Sequence, residues 1–204
     1  MSMLEQRIQQ QFFDGADAKN QAAELLSRPI SDAARALVAG FTAGGRLLVG
    51  ARGRAASLGH LVVAHLVGRF ERERPGLAAL ALSAESALIS TLAAEEGTDA
   101  LLARQLQTLG QPGDLLLLID ADAQPNESSA VLCSAARAAH AKEMTVIALT
   151  GAHSAGLAEE LTETDVLIAV PHDRRARVLE LQLAALHCLC DAVDLQLLGE
   201  QEPA

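Results

Sequence analysis

Five short apolar runs limit what this chain can fold into. They are Arg46 to Gly50, Ala78 to Leu82, "DLLLLI" (Asp114 to Ile119), "MTVIALTG" (Met144 to Gly151) and "TDVLIAV" (Thr164 to Val170). Each is strand length, and helical segments separate all five. Continuous apolar runs of this kind are buried on both sides, which demands a parallel sheet with helices over both faces. The reading is an α/β fold, a doubly wound five-stranded parallel sheet sandwiched by helices. Two helices precede the first strand. One runs from Ser2 to about Ser27, and Pro29 followed by Ser31 and Asp32 restarts a second that continues to Gly44. A single domain follows, with N-terminal helices over 1–44, an α/β core over 45–198 and an acidic tail over 199–204.

In such a sheet, ligands bind beyond the carboxyl ends of the strands. The loops to search are therefore 50–55, 83–86, 120–127 and 150–154. The first, "GARGRA", lacks both G-x-G-x-x-G and G-K-[ST], so it is neither a dinucleotide fingerprint nor a P-loop, and no cofactor is expected. Arg52, Gly53 and Arg54 at a helix N-terminus could bind an anion; alternatively, the arginines neutralise the acidic loop opposite. That loop, "DADAQPNESS", superficially suggests a calcium loop. Pro125 stands where the turn needs glycine, however, and Val131 where a bidentate glutamate is needed. It reads as a solvated loop ending in a helix cap at Asn126 or Ser128, with a weak magnesium site over 120–127 as the alternative, and its carboxylates Asp120 and Asp122 repel a phosphorylated ligand. His60 and His65 project about 140° apart on a helix and are no zinc pair. His140, His172 and His187 are assigned no chemistry. Cys133, Cys188 and Cys190 show no metal spacing and read as reduced thiols, so no metal site is expected.

A net charge of −10, four Phe and no Trp or Tyr argue against a nucleic-acid backbone as the main partner. No segment reaches the roughly 18 apolar residues of a membrane span, and the polar start "MSMLEQRIQQQFF" is unlike a signal peptide. A cytoplasmic protein is expected. The helix after the first loop is apolar on more than one side through Leu58, Leu61, Val62, Val63, Leu66 and Val67, which calls for self-association. Leu197 and Leu198 are adjacent at the end of the last helix, and at 100° per residue both cannot easily face the core. That pair is a candidate anchor for a partner protein.

Four stretches, "GRFERERPG" (Gly68 to Gly76), "LGQPGDLLLLI" (Leu109 to Ile119), "MTVIALTG" and "VPHDRRARVLELQLAALHCLCDAVD" (Val170 to Asp194), resemble the sugar isomerase (SIS) domain proteins. The similarity is to the branch holding phosphoheptose isomerase and the DnaA initiator-associating protein. It implies two hydroxyl-rich loops, C-G-N-G-[GT]-S and S-T-[SR]-G-N-S, that cradle a sugar phosphate. On this chain, Arg52 and Ala55 take the asparagine and serine of the first loop. The second becomes the acidic loop, with Ser128 and Ser129 surviving near its end. The isomerase's glutamate and histidine, a base and acid pair for proton transfer between adjacent carbons, fall on His65 and Gln182, while Glu180 keeps a family acidic position. Glutamine exchanges no proton at neutral pH, so both positions read as degenerate and no catalytic residue is expected. The resemblance therefore suggests a non-catalytic homotetrameric scaffold for the replication initiator, docked through Leu197 and Leu198, with no direct nucleic-acid contact. The alternative is a sugar-phosphate binding protein, or a phosphoheptose isomerase-like enzyme with an altered site in which Arg52 and Arg54 replace the hydroxyls.

Overall fold

A computed structural model describes residues 1–82, 85–121 and 130–200. The strands β1 (Leu47–Ala51), β2 (Ala79–Ala81), β3 (Leu115–Ile119), β4 (Thr145–Thr150) and β5 (Val166–Ala169) form one parallel sheet in the order β2-β1-β3-β4-β5. This is the doubly wound sheet expected, and its order reverses between β1 and β3, so a crevice opens beyond their carboxyl ends. Every residue of β1 and β3 is buried. Side chains alternate between faces, and the two layers of helix divide them accordingly. Leu47, Val49, Leu115, Leu117 and Ile119 join one core with Leu37 of α1 (Met3–Thr42), Val62 and Leu66 of α2 (Ala56–Val67) and Leu186 of α7 (Arg175–Leu198). Leu48, Leu116 and Leu118 join the other. That core also takes Leu102 and Leu106 of α4 (Leu101–Leu109), Leu132 of α5 (Ala130–His140) and Leu157 of α6 (Ala155–Glu160). Helix α3 (Ser86–Glu95) lies at the margin of this second layer and buries only Leu92.

The two helical segments expected before the first strand are present, but they run on as one helix, α1, straight through Pro29. Proline removes one N–H donor and usually breaks a helix. Here the buried stripe Gly15, Ala18, Ala22, Leu26, Ile30, Ala33 and Leu37 keeps its three- and four-residue spacing across Pro29, so packing against α7 and the sheet holds one axis. At its start, Ser2 Oγ accepts the Glu5 N–H and the Glu5 carboxylate accepts from the Ser2 N–H, closing a capping box. Near its end, Gly40 lies so close to Leu115 that an added Cβ would come within 2.2 Å of the leucine Cδ1, which is how the helix reaches the sheet. Among the described residues, no helix is long and apolar enough to cross a membrane.

Candidate active site

The crevice is built from the ends of β1 and β3. After Ala51 the backbone is extended at Arg52, takes a positive φ of 55° at Gly53, and tightens into a 3-10 turn, Gly53–Ala55, that opens α2. Glycine adopts that φ without the steric penalty a side chain would add. The Arg52 N–H donates to the Ile119 carbonyl at 3.2 Å, tying the loop to the end of β3. Its guanidinium turns toward the nearly buried Asp120, with Nη2 3.4 Å from Oδ1. The neutralising role read for Arg52 is thus visible. Arg54 is exposed and forms no ion pair with any described residue.

Gln182 is fully buried on α7 behind the same strand ends. Its Nε2 donates to the Asp120 carbonyl at 2.7 Å and to the Leu149 carbonyl at 3.3 Å, while the Asp120 N–H also donates to Leu149 at 2.9 Å. This amide therefore stitches β3 to β4 where the ladder ends. A buried polar group has to be paired, and here a helix side chain supplies the pairing.

Two cavities open at these loops. The larger, about 520 Å³, has apolar walls from Leu82, Ile89 and Leu102, and its polar groups come from Arg52, Thr98, Asp99 and Gln105. The smaller, about 150 Å³, is lined by Arg52, Gly53, Arg54, Ala121 and Arg175. Arg52 and Gly53 line both. A concave apolar space with a few converging polar groups is what a small-molecule site requires.

His65 lines neither cavity. It sits toward the far end of α2, edge-on to Phe70 with centroids 5.0 Å apart and 5.6 Å from the His187 ring of α7. Burial, then the neighbouring His187, pull its pKa below the usual 6.5, against a hydrogen bond that the ring donates to the Arg69 backbone. His65 and Gln182, expected as a degenerate pair, are therefore not brought together at the crevice. Glu180 also lies elsewhere. It is ion-paired with Arg177, which donates to the Gln11 carbonyl at 2.7 Å and so faces α1. Ser128 and Ser129, with Asp122, the expected cap and so the magnesium alternative, lie outside the described residues. Leu197 packs partly against the core while Leu198 is 39% exposed, so the adjacent leucines do part company as their helical angle requires.

Several residues that line or support the site were not singled out from sequence. Arg175 falls at the first position of α7, and the run "HDRRARV" was the signal available for it. Thr98, Asp99 and Gln105 come from the segment after α3, and no local pattern marks them as facing β1. His187 pairs with His65 only because α7 crosses α2.

The SIS domain family matches residues 11–151. The chain belongs to the SIS domain family. This SIS domain protein is 54% identical over 202 residues to a phosphoheptose isomerase of Methylibium petroleiphilum, covering 99% of each chain. It is 43% identical over 199 residues to one of Thiobacillus denitrificans, covering 98% of this chain and 99% of the other. Among solved structures, the phosphoheptose isomerase of Neisseria gonorrhoeae superposes with a TM-score of 0.86 at 31% identity, covering 94% of this chain and 99% of that one. These likenesses correct the scaffold expectation. Relatives that match this SIS domain from end to end carry the isomerase name, which fits the alternative reading better than a non-catalytic partner of the initiator.

Proposed function

We propose that this chain is a phosphoheptose isomerase-like enzyme with an altered site, taking a phosphorylated sugar in the crevice between β1 and β3. One observation carries the reading: 54% identity, end to end, with a protein named for that reaction. The crevice supports it. The larger cavity has apolar walls for a carbon chain, and among the described residues Arg52 and Asp99 are the ionisable side chains lining it. Isomerisation moves a proton between adjacent carbons, so a group that accepts and returns it has to stand beside the sugar. Gln182 does not serve, because its amide does not titrate and is held by two carbonyls.

Self-association and a cytoplasmic setting belong to the same proposal. The first ten residues of α1 and the helix beyond them leave Leu4, Ile8, Phe12 and Phe13 exposed on the single chain. An apolar trough of about 480 Å³ runs between α1 and α7 past Leu26, Ile30, Leu181 and Ala185. A homotetramer would cover both. The deciding experiment is incubation of the purified protein with sedoheptulose 7-phosphate, following the sugar by NMR. Conversion above a protein-free control supports the reading. Folded protein that neither converts nor binds the sugar refutes it, and light scattering at the monomer mass refutes the assembly.

A further inference from the structure

Gln182 is 0% exposed on α7 and lines neither crevice cavity, yet it is tied to the strand ends that build them. The paired registers of β3 and β4 stop at Ile119 and Leu149. One residue on, the Asp120 N–H makes the last bond across, to the Leu149 carbonyl at 2.9 Å, and the Asp120 carbonyl takes its donor from Gln182 Nε2 at 2.7 Å. The same Nε2 reaches the Leu149 carbonyl at 3.3 Å, so one amide holds both chains at the crevice end of the sheet. Stability alone does not explain a polar residue here. Its neighbours on α7, Val178, Leu181, Ala185 and Leu186, are buried and apolar, and Gln182 Oε1 has no partner among the described residues. Burying an acceptor unpaired is costly, and a methionine of the same length would avoid it. What the amide provides and methionine would not is a fixed direction for the Asp120 peptide.

That direction matters because of what Asp120 and its neighbour do. The Asp120 carboxylate lies 3.4 Å from Arg52 Nη2, and Arg52 lines both crevice cavities. Ala121, the next residue, lines the smaller one. The Arg52 N–H also donates to the Ile119 carbonyl, so the loop after β1 is tied to the peptide that leads into Asp120. A turn of the chain at Asp120 would therefore carry Arg52 and Ala121 with it. We infer that Gln182 is a positioning residue of the crevice: it touches no ligand, and it holds the Asp120 peptide so that Arg52 and Ala121 keep their places in the cavity walls. Its consequence for turnover rests on the isomerase reading above; the positioning itself does not.

Gln182→Met keeps the side chain's length and removes the donor, while the Leu149 carbonyl keeps the Asp120 N–H, so the sheet persists. Hydrogen exchange in the full-length protein without ligand then shows the Arg52 and Asp120 amides exchanging about tenfold faster. Leu115 and Thr145, whose amides bond at the opposite end of the strands, exchange as in the wild type. Gln182→Asn, whose amide is one carbon short of the two carbonyls, gives the same pattern should Gln182→Met not fold. With sedoheptulose 7-phosphate, kcat/KM per folded molecule falls about tenfold or more, and Gln182→His, which puts a ring N–H back within similar reach, recovers most of it. A residue that merely fills the core would instead speed exchange at both ends alike and leave kcat/KM per folded molecule unchanged. Either of those two results overturns the inference, as does unaltered exchange at Arg52 and Asp120. If the wild type leaves the sugar phosphate unconverted, the isomerase reading falls separately, and the exchange pattern alone upholds or overturns the positioning.

Discussion

Replacing Arg74 with methionine should remove a large part of this protein's stability. Arg74 stands in the loop after α2, and its Nε lies 2.5 Å from Asp194 Oδ1 on α7, both side chains being 1% exposed. Nη1 also donates to the Leu66 carbonyl at 2.9 Å and Nη2 to the His65 carbonyl at 3.0 Å, so one guanidinium closes the end of α2 and ties it to α7. In Arg74→Met the Asp194 carboxylate stays buried with no cation, and its Oδ2 already lacks a hydrogen-bond partner. Breaking one side of a buried pair destabilises by about 3–5 kcal/mol. At about 2–4 °C per kcal/mol for a chain of this length, the melting temperature should fall by roughly 6–20 °C. In the double variant Arg74→Met with Asp194→Leu no charge is orphaned, and most of the loss should be regained. Thermal and urea unfolding at one fixed protein concentration measure all three proteins, since any assembly makes the midpoint concentration-dependent. A single variant that loses less than about 1 kcal/mol, or a double variant no more stable than the single, would refute the reasoning.

Two titrations give further checks. Burial first, and then the charge of Asp194, push the Cys190 thiol up to about 12, against an opposing pull from Arg74, so a thiol reagent at pH 8 should leave Cys190 intact until the protein unfolds, when Cys190 and Cys188 react alike. Peptide mapping that finds both modified at one rate in the folded protein would contradict this. The folded pKa of His65 is depressed, so below pH 6.5 the unfolded chain binds more protons there; the associated stability is present above 6.5 and lost as pH falls beneath it. Melting temperatures from pH 7.5 down to 5.5 should therefore drop less steeply in His65→Gln than in the wild type, and equal slopes would show that His65 does not contribute.

The sheet was legible because burial on both faces leaves its mark within five or six consecutive residues. "LLLLI" at β3 needs no knowledge of its neighbours to be read as a central strand, and the order of strands and helices along the chain is enough to place the crevice at Arg52 and Asp120. Pro29 shows where local rules give way. Its intrinsic preference says stop, but a stripe of buried residues from Gly15 to Leu37 outweighs one missing hydrogen bond, and that sum exists only once α1 lies on α7.

The candidate site divides in the same way. Arg52, Gly53 and Arg54 are neighbours in sequence and announce themselves as a loop at a helix start. Gln182 looks like a lost catalytic group until the fold sets its amide against carbonyls 33 and 62 residues away, where it is a structural clasp. Arg175 joins Arg52, and Asp194 meets Arg74, only through the path of α7 across the layers. The order of strands and helices, the turn chemistry and the faces to be buried are short-range properties, and the sequence by itself determined them. Which polar side chains meet, and whether a given one binds a ligand or satisfies a buried carbonyl, depends on contacts between residues far apart in the chain. Only the packed tertiary structure decided those, because nothing in the local pattern records a partner that distant.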